Sequence, residues 1–166
     1  MTPKPPRLTA EHLRAGETVG LGHHRVSKEE IIRFASEWDS QYFHTDPTAA
    51  LESYFGGLIA SGLHTLSIFQ RLSVLDFFEH YDVIAGKEIR RLRFLYPVRA
   101  GNVLTGSVHI DSVNHDGQGR ASVVTSGSLW NQDNVPVLEL QMEALIASES
   151  TIQKKNGPTR PAFKSG

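Results

Sequence analysis

From Gly86 onward apolar and polar positions alternate in four runs, "GKEIRRLRFLYPV", "GNVLTGSVHIDSV", "GRASVVTSGSLWNQ" and "VPVLELQMEALIAS", each set off by Gly, Asn or Asp. A period of two is the pattern of strands with one covered face. The turn clusters "NHDGQG" and "NQDNVP" favour hairpins, and hence antiparallel order. Upstream, residues Thr18 to Val26 alternate more weakly and read as a first strand. The period then changes. Ser27 and Glu30 have capping-box spacing, and "EEIIRFASEW" places Ile31, Phe34, Ala35 and Trp38 on one helical stripe, so a helix should end near Trp38. Asp46 can cap a short helix begun by Pro47 and containing "TAALES", which Gly56 and Gly57 stop from continuing. The longest helical segment is "IASGLHTLSIFQRLSVLDFFEHY", roughly Ala60 to Phe78, with Leu63, Leu66, Phe69, Leu72 and Phe77 spread over a broad apolar surface. A helix this greasy belongs at the centre, with the sheet around it.

The expected class is therefore α+β, with five antiparallel strands wrapped around a long central helix. The 166 residues fit one domain. Residues 1–17 begin "MTPKPPRLTAEH", rich in proline, and read as a loose N-terminal arm; 18–148 form the domain; 149–166 lose alternation, gain charge, Pro and Gly, and read as a tail. No internal repeat doubles the fold.

Seventeen Lys and Arg against 18 Asp and Glu leave a formal charge of -1 without long runs of either sign. Nucleic acid and anionic membrane surfaces are thus poor partners. No signal-peptide run or bilayer-spanning stretch is legible, so a soluble cytoplasmic protein is expected. There is no cysteine, which removes disulfides and thiolate chemistry; the eight histidines are scattered without a zinc signature, and no phosphate loop or nucleophile elbow appears. Neither metal nor cofactor is expected.

The candidate chemistry lies in "EWDSQYFHTDP". Asp39 and His44 would point about 140° apart on a helix and to opposite faces on a strand. They can cooperate only if the chain between them is irregular, and Asp46-Pro47 gives one reason to expect that. The other reading is a helix-loop-helix corner in which Asp39 closes a helix and His44 fixes a loop through backbone hydrogen bonds.

The run "FASEWDSQYFHTDPTAALESYFGGLIASGLHTLS", followed by "LRFLYPVRAGNVL", resembles the MaoC-like dehydratase family, which includes the (R)-specific enoyl-CoA hydratases and has the hot-dog fold. The resemblance covers about residues 18–148. It implies a homodimer joined through sheet edges and reversible hydration of a trans-2-enoyl thioester, carried by coenzyme A or acyl carrier protein, to a 3-hydroxyacyl thioester of R configuration. Asp39 and His44 match the catalytic pair, and a carboxylate with an imidazole can orient and deprotonate one water. Gly62 matches the glycine whose amide faces the thioester carbonyl at a helix N-terminus.

The other positions each have two readings. Gln41 either braces the catalytic loop or faces solvent. Ser61 stands where many members carry His, and Ser67 either contacts substrate or satisfies a helical carbonyl. Tyr42 and Phe43 replace smaller residues of the family and are expected to line the acyl pocket. Arg90, Arg91 and Arg93 are candidates for coenzyme A phosphates or form the wet face of a strand. His64 reads as structural, and Phe94, Tyr96 and Trp130 as core or interface. Two rival functions remain: a hot-dog thioesterase attacking the carbonyl carbon, and a noncatalytic acyl-thioester binding subunit.

Overall fold

A computed structural model describes residues 6–149. Its strands are β1 Thr18–Arg25, β2 Val83–Phe94, β3 Val103–His115, β4 Arg120–Trp130 and β5 Pro136–Ala147; its helices are α1 Lys28–Trp38, α2 Tyr42–Thr45 and α3 Gly62–Asp76. The strands form one antiparallel sheet in the order β1-β3-β4-β5-β2. This is the hot-dog fold, with α3 as the filling. No helix among the described residues is long and apolar enough to cross a membrane.

Alternation decides which face of the sheet meets α3. In β4, Ala121, Val123, Thr125 and Leu129 are buried while the residues between them are half-buried. Ala121, Val123 and Leu129 meet Ile68, Phe69 and Leu72 of α3 in one apolar cluster that also takes in Leu104, Val108, Leu138 and Ile146. Gly127 belongs to the inward set. A Cβ there would lie 2.2 Å from Cζ of Phe69, so the glycine lets the ring rest on the strand backbone. At the β4–β5 connection Asn134 takes φ 57°, a left-handed conformation that asparagine tolerates.

The central helix is shorter than the predicted Ala60–Phe78. Ala60 N–H is committed to Val98 O at 2.8 Å, outside any helical pairing, and the helix starts at Gly62. After Asp76, Phe77 turns out at φ -135° and Phe78–His80 form a 3-10 turn. The expected stripe divides accordingly: Phe69, Leu72 and Phe77 are buried, but Leu63 is about half exposed. The helix expected from Pro47 is a 3-10 turn, Ala49–Glu52, which Asp46 supports by accepting from Thr48 N and Ala49 N.

Helix α1 ends at Trp38 as expected, yet Trp38 is 70% exposed and the helix buries Ile31 and Ala35 instead. Only half of the capping box forms. Ser27 Oγ accepts from Glu30 N–H at 3.1 Å, but the Glu30 carboxylate turns away to His24 Nε2 at 2.7 Å. His64 Nε2 lies 3.4 Å from the same carboxylate, and its ring stacks on Phe34 at 4.8 Å. Burial pushes the His64 pKa down.

The N-terminal arm is not loose from Leu8 onward. Leu8 N–H donates to His80 O, Asp82 N–H donates to Leu8 O, and Ala10 and Leu13 are buried. Glu11 accepts from Ser148 Oγ at 2.6 Å and from Glu149 N–H at 2.8 Å. These contacts replace the entropy of a free arm with apolar burial and paired backbone. The tail expected from 149 onward lies, beyond Glu149, outside the described residues.

Candidate functional site

Asp39 closes α1, its N–H donating to Ala35 O at 2.9 Å. Its backbone then leaves the helix at φ -158°, ψ 68°, and Gln41 starts the single turn of α2 on which His44 sits. The irregular stretch needed to bring the pair together is therefore only residues 39–41, and His44 itself is helical. The change of direction across those residues brings His44 Nε2 to 3.5 Å from Asp39 Oδ2.

The proton on His44 is placed by a backbone group. His44 Nδ1 lies 2.8 Å from Ile59 O, and a carbonyl can only accept, so Nδ1 carries the hydrogen. A neutral imidazole then presents the Nε2 lone pair toward Asp39. His44 is buried, which holds this orientation.

Asp39 is held as an anion. Ser61 Oγ donates to its Oδ2 at 2.7 Å, and Gln41 Nε2 donates to Oδ1 at 2.9 Å. The Ser61 bond first, then the Gln41 bond, lower the carboxyl pKa against the opposing effect of burial, and the nearby His44 imidazole, when protonated, adds a smaller pull. Ser61 is itself buried and also caps α3, its Oγ accepting from Leu63 N–H at 3.2 Å. One hydroxyl thus joins the carboxylate to the N-terminus of the central helix. The N–H of Gly62, first in that helix, donates to no acceptor among the described residues.

Asp39, Gln41, Phe43, His44, Ser61 and Gly62 all line one cleft of about 570 Å³. Its remaining walls are mainly apolar, from Phe55, Ile59, Leu63, Phe94 and the segment Leu95 to Val98. A largely apolar cleft with a carboxylate, a lone-pair nitrogen and an unpaired amide can bind an apolar chain and move a proton beside it. Among the described residues no three His, Asp or Glu side chains are grouped to hold a metal ion.

Other sequence-selected residues lie elsewhere. Tyr42 is about half exposed and packs its ring edge against Phe43 without lining the cleft. Ser67 donates to Leu63 O at 2.8 Å and faces a different groove, beside Glu30 and His64. None of the three arginines lines the Asp39 cleft. Arg90 pairs with Glu88 and Glu143, Arg93 Nη1 is 3.6 Å from Glu139, and Arg91 and Arg93 border a separate groove next to Ser126 and Gln141. The strand register shifts between Arg90 and Arg93.

Sequence reading missed Phe94 and Tyr96 as cleft residues. Both are exposed cleft-lining rings rather than core. The available signal was their place just before Pro97-Val98, whose carbonyl at Val98 anchors Ala60 at the entrance to α3.

Comparison with known proteins agrees with this architecture. The protein YdeM of Bacillus subtilis (strain 168) is 35% identical over 122 residues, 74% of this chain and 86% of that protein. A crystal structure of the MaoC-like dehydratase from Rhodospirillum rubrum has 30% identity and a TM-score of 0.74, covering 86% of this chain and 98% of its own. The C-terminally truncated HadBC complex of Mycobacterium tuberculosis, a 3R-hydroxyacyl-ACP dehydratase, has 26% identity and a TM-score of 0.67, covering 79% and 96%. The family model described as "MaoC like domain" matches residues 12–131, and the chain belongs to that family.

Proposed function

We propose that the protein adds water across the double bond of a trans-2-enoyl thioester, and removes it in reverse, with Asp39 and His44 as the catalytic residues and the Gly62 N–H as the oxyanion donor. The observation that carries this reading is the fixed tautomer of His44: with Nδ1–H on Ile59 O, the basic Nε2 faces an anionic carboxylate 3.5 Å away. Two acceptors at that separation suit a shared water that donates one hydrogen to each.

In the forward direction the water oxygen bonds to C3 while Nε2 takes a proton. The C2–C3 π electrons move toward the thioester, giving an enolate whose oxygen accepts from Gly62 N–H. The imidazolium then returns the proton to C2 on the same face. Asp39 orients the water and balances the imidazolium charge, and stays ionised. Water supplies both the hydroxyl and the new hydrogen, so the addition is syn. Related chemistry is named for the dehydratases of Rhodospirillum rubrum and Mycobacterium tuberculosis.

The finer reading is an R product, a coenzyme A carrier and a cytoplasmic homodimer. Strand β2 supports the dimer: it lies at the end of the sheet, and its Ile84, Ile89 and Phe94 are exposed. Pairing that edge with a second copy would satisfy its open backbone groups.

The test is a panel of 2-enoyl and 3-hydroxyacyl thioesters on coenzyme A and on acyl carrier protein, with chiral resolution of products. Loss of enoyl absorbance with formation of the R-3-hydroxy product is expected. Free thiol from saturated acyl-CoA without hydration would establish thioester hydrolysis instead, and tight acyl-CoA binding without turnover would establish a binding subunit.

A further inference from the structure

Gly62 is a glycine for a reason that its own backbone does not supply. It lies outside the left-handed region, and as the first residue of α3 its conformation is open to any L residue. A Cβ at this position, however, would lie 2.8 Å from Cε2 and from Cζ of Phe94 and 2.9 Å from Cδ2. Carbon atoms pack at about 3.5–4.0 Å, so the ring already occupies the space of the missing side chain. Phe94 ends β2, is 51% exposed, and lines the cleft together with Gly62 and Leu63. A half-exposed ring is thus seated on the turn that carries the unpaired amide.

We propose that Phe94 is a specificity-determining residue of the cleft: its ring, lodged on Gly62, forms the wall beside the Gly62 N–H and sets how wide an acyl group passes at the reacting carbons. The proposal rests on the hydratase reading above. A thioester whose carbonyl reaches that amide brings C2 closest to the ring, so a linear enoyl group passes and a methyl branch on C2 collides. Gly62 then serves the protein's own phenylalanine as well as the approach of substrate.

Two experiments test this. The first compares kcat and KM of the wild type, Phe94→Ala and Phe94→Leu with crotonyl-CoA and with its 2-methyl homologue, tiglyl-CoA. Phe94→Ala should raise the tiglyl-to-crotonyl ratio of kcat/KM by at least about tenfold, with Phe94→Leu between. An unchanged ratio overturns the specificity role.

The second is a melting cycle through Gly62→Ala, Phe94→Ala and the double variant. Gly62→Ala should lower Tm when Phe94 is present. It should leave Tm unchanged or raise it when Phe94 is absent, because alanine is the better helix former. The double variant should also recover at least about tenfold of the crotonyl hydration lost in Gly62→Ala. Equal Tm losses in both backgrounds, or a Gly62→Ala chain that fails to fold in both, overturn the seating of the ring; folding only without Phe94 supports it. If the wild type hydrates neither thioester the hydratase reading falls, and the melting cycle still decides whether the ring fills the place of a Gly62 side chain.

Discussion

Ser61→Ala removes one oxygen and two interactions. The Asp39 carboxylate loses a donor at 2.7 Å, and Leu63 N–H loses its acceptor at 3.2 Å, both in a part-buried setting. A hydrogen bond to a charged group contributes about 1.5–3 kcal/mol and a helix cap about 0.5–2 kcal/mol. The two share one hydroxyl and Asp39 keeps its Gln41 bond, so their sum is an upper bound and about 1–3 kcal/mol is expected at neutral pH. The pH dependence separates the parts. The folded-state pKa of Asp39 is lowered, so its contribution is fully present above the unfolded value, near 3.9, and is lost as pH falls through the lowered folded value. The stability gap between wild type and Ser61→Ala should therefore narrow in acid toward the cap contribution alone. Urea unfolding of both proteins across that range measures it. A gap that is absent at neutral pH, or that widens as pH falls, would refute the account of Ser61 as a bridge between carboxylate and helix.

Asp39→Asn and His44→Ala should each lower hydration by about 10²-fold or more while leaving a folded protein, and wild-type rates in both would remove the site from the mechanism. Gly127→Ala should cost about 1–3 kcal/mol by overpacking, because its Cβ would enter the ring of Phe69; unchanged denaturant stability would contradict that contact. Glu143 accepts from Lys87, Ser122 and Arg90, and the Lys87 bond first, then the Ser122 bond, hold its carboxyl down to about 2. Its contribution is present above the ordinary carboxylate range and fades toward pH 2, so the Tm deficit of Glu143→Gln should close as acid is added; a deficit independent of pH would oppose this.

The sheet was legible because burial of one face writes itself into alternate letters, as Ala121, Val123, Thr125 and Leu129 demonstrate. The ends of α3 were not, since Ala60 gives its N–H to Val98, far along the chain, instead of to the helix. Within the cleft, Asp39 and His44 could be singled out by type and spacing, and Gly62 by the resemblance to the family. The Ile59 carbonyl that fixes the His44 tautomer could not, because a backbone acceptor has no letter of its own. Ser61 looked like a departure from pattern; its pairing with Asp39 required two segments to meet in space. Phe94 reads as core or interface because an apolar letter at a strand end does not distinguish a packed ring from a cleft wall. Arg91 and Arg93 border one groove while Arg90 turns to Glu143, and the register break between Arg90 and Arg93 within β2 is one that no single residue announces.

The clasp between Glu11 and the end of β5 bears on the order of folding events. Its partners are 137 and 138 residues apart in sequence, so the loop it closes spans most of the described chain. Closing so long a loop for two hydrogen bonds is unfavourable until the intervening sheet already holds the ends together. The clasp is therefore expected to form after the rate-limiting step of folding and to break before that step is recrossed in unfolding. Interactions made that late leave the folding rate nearly unchanged and slow the escape from the native state. By this logic the N-terminal segment acts as a latch, governing how long the finished molecule survives rather than how fast it is made.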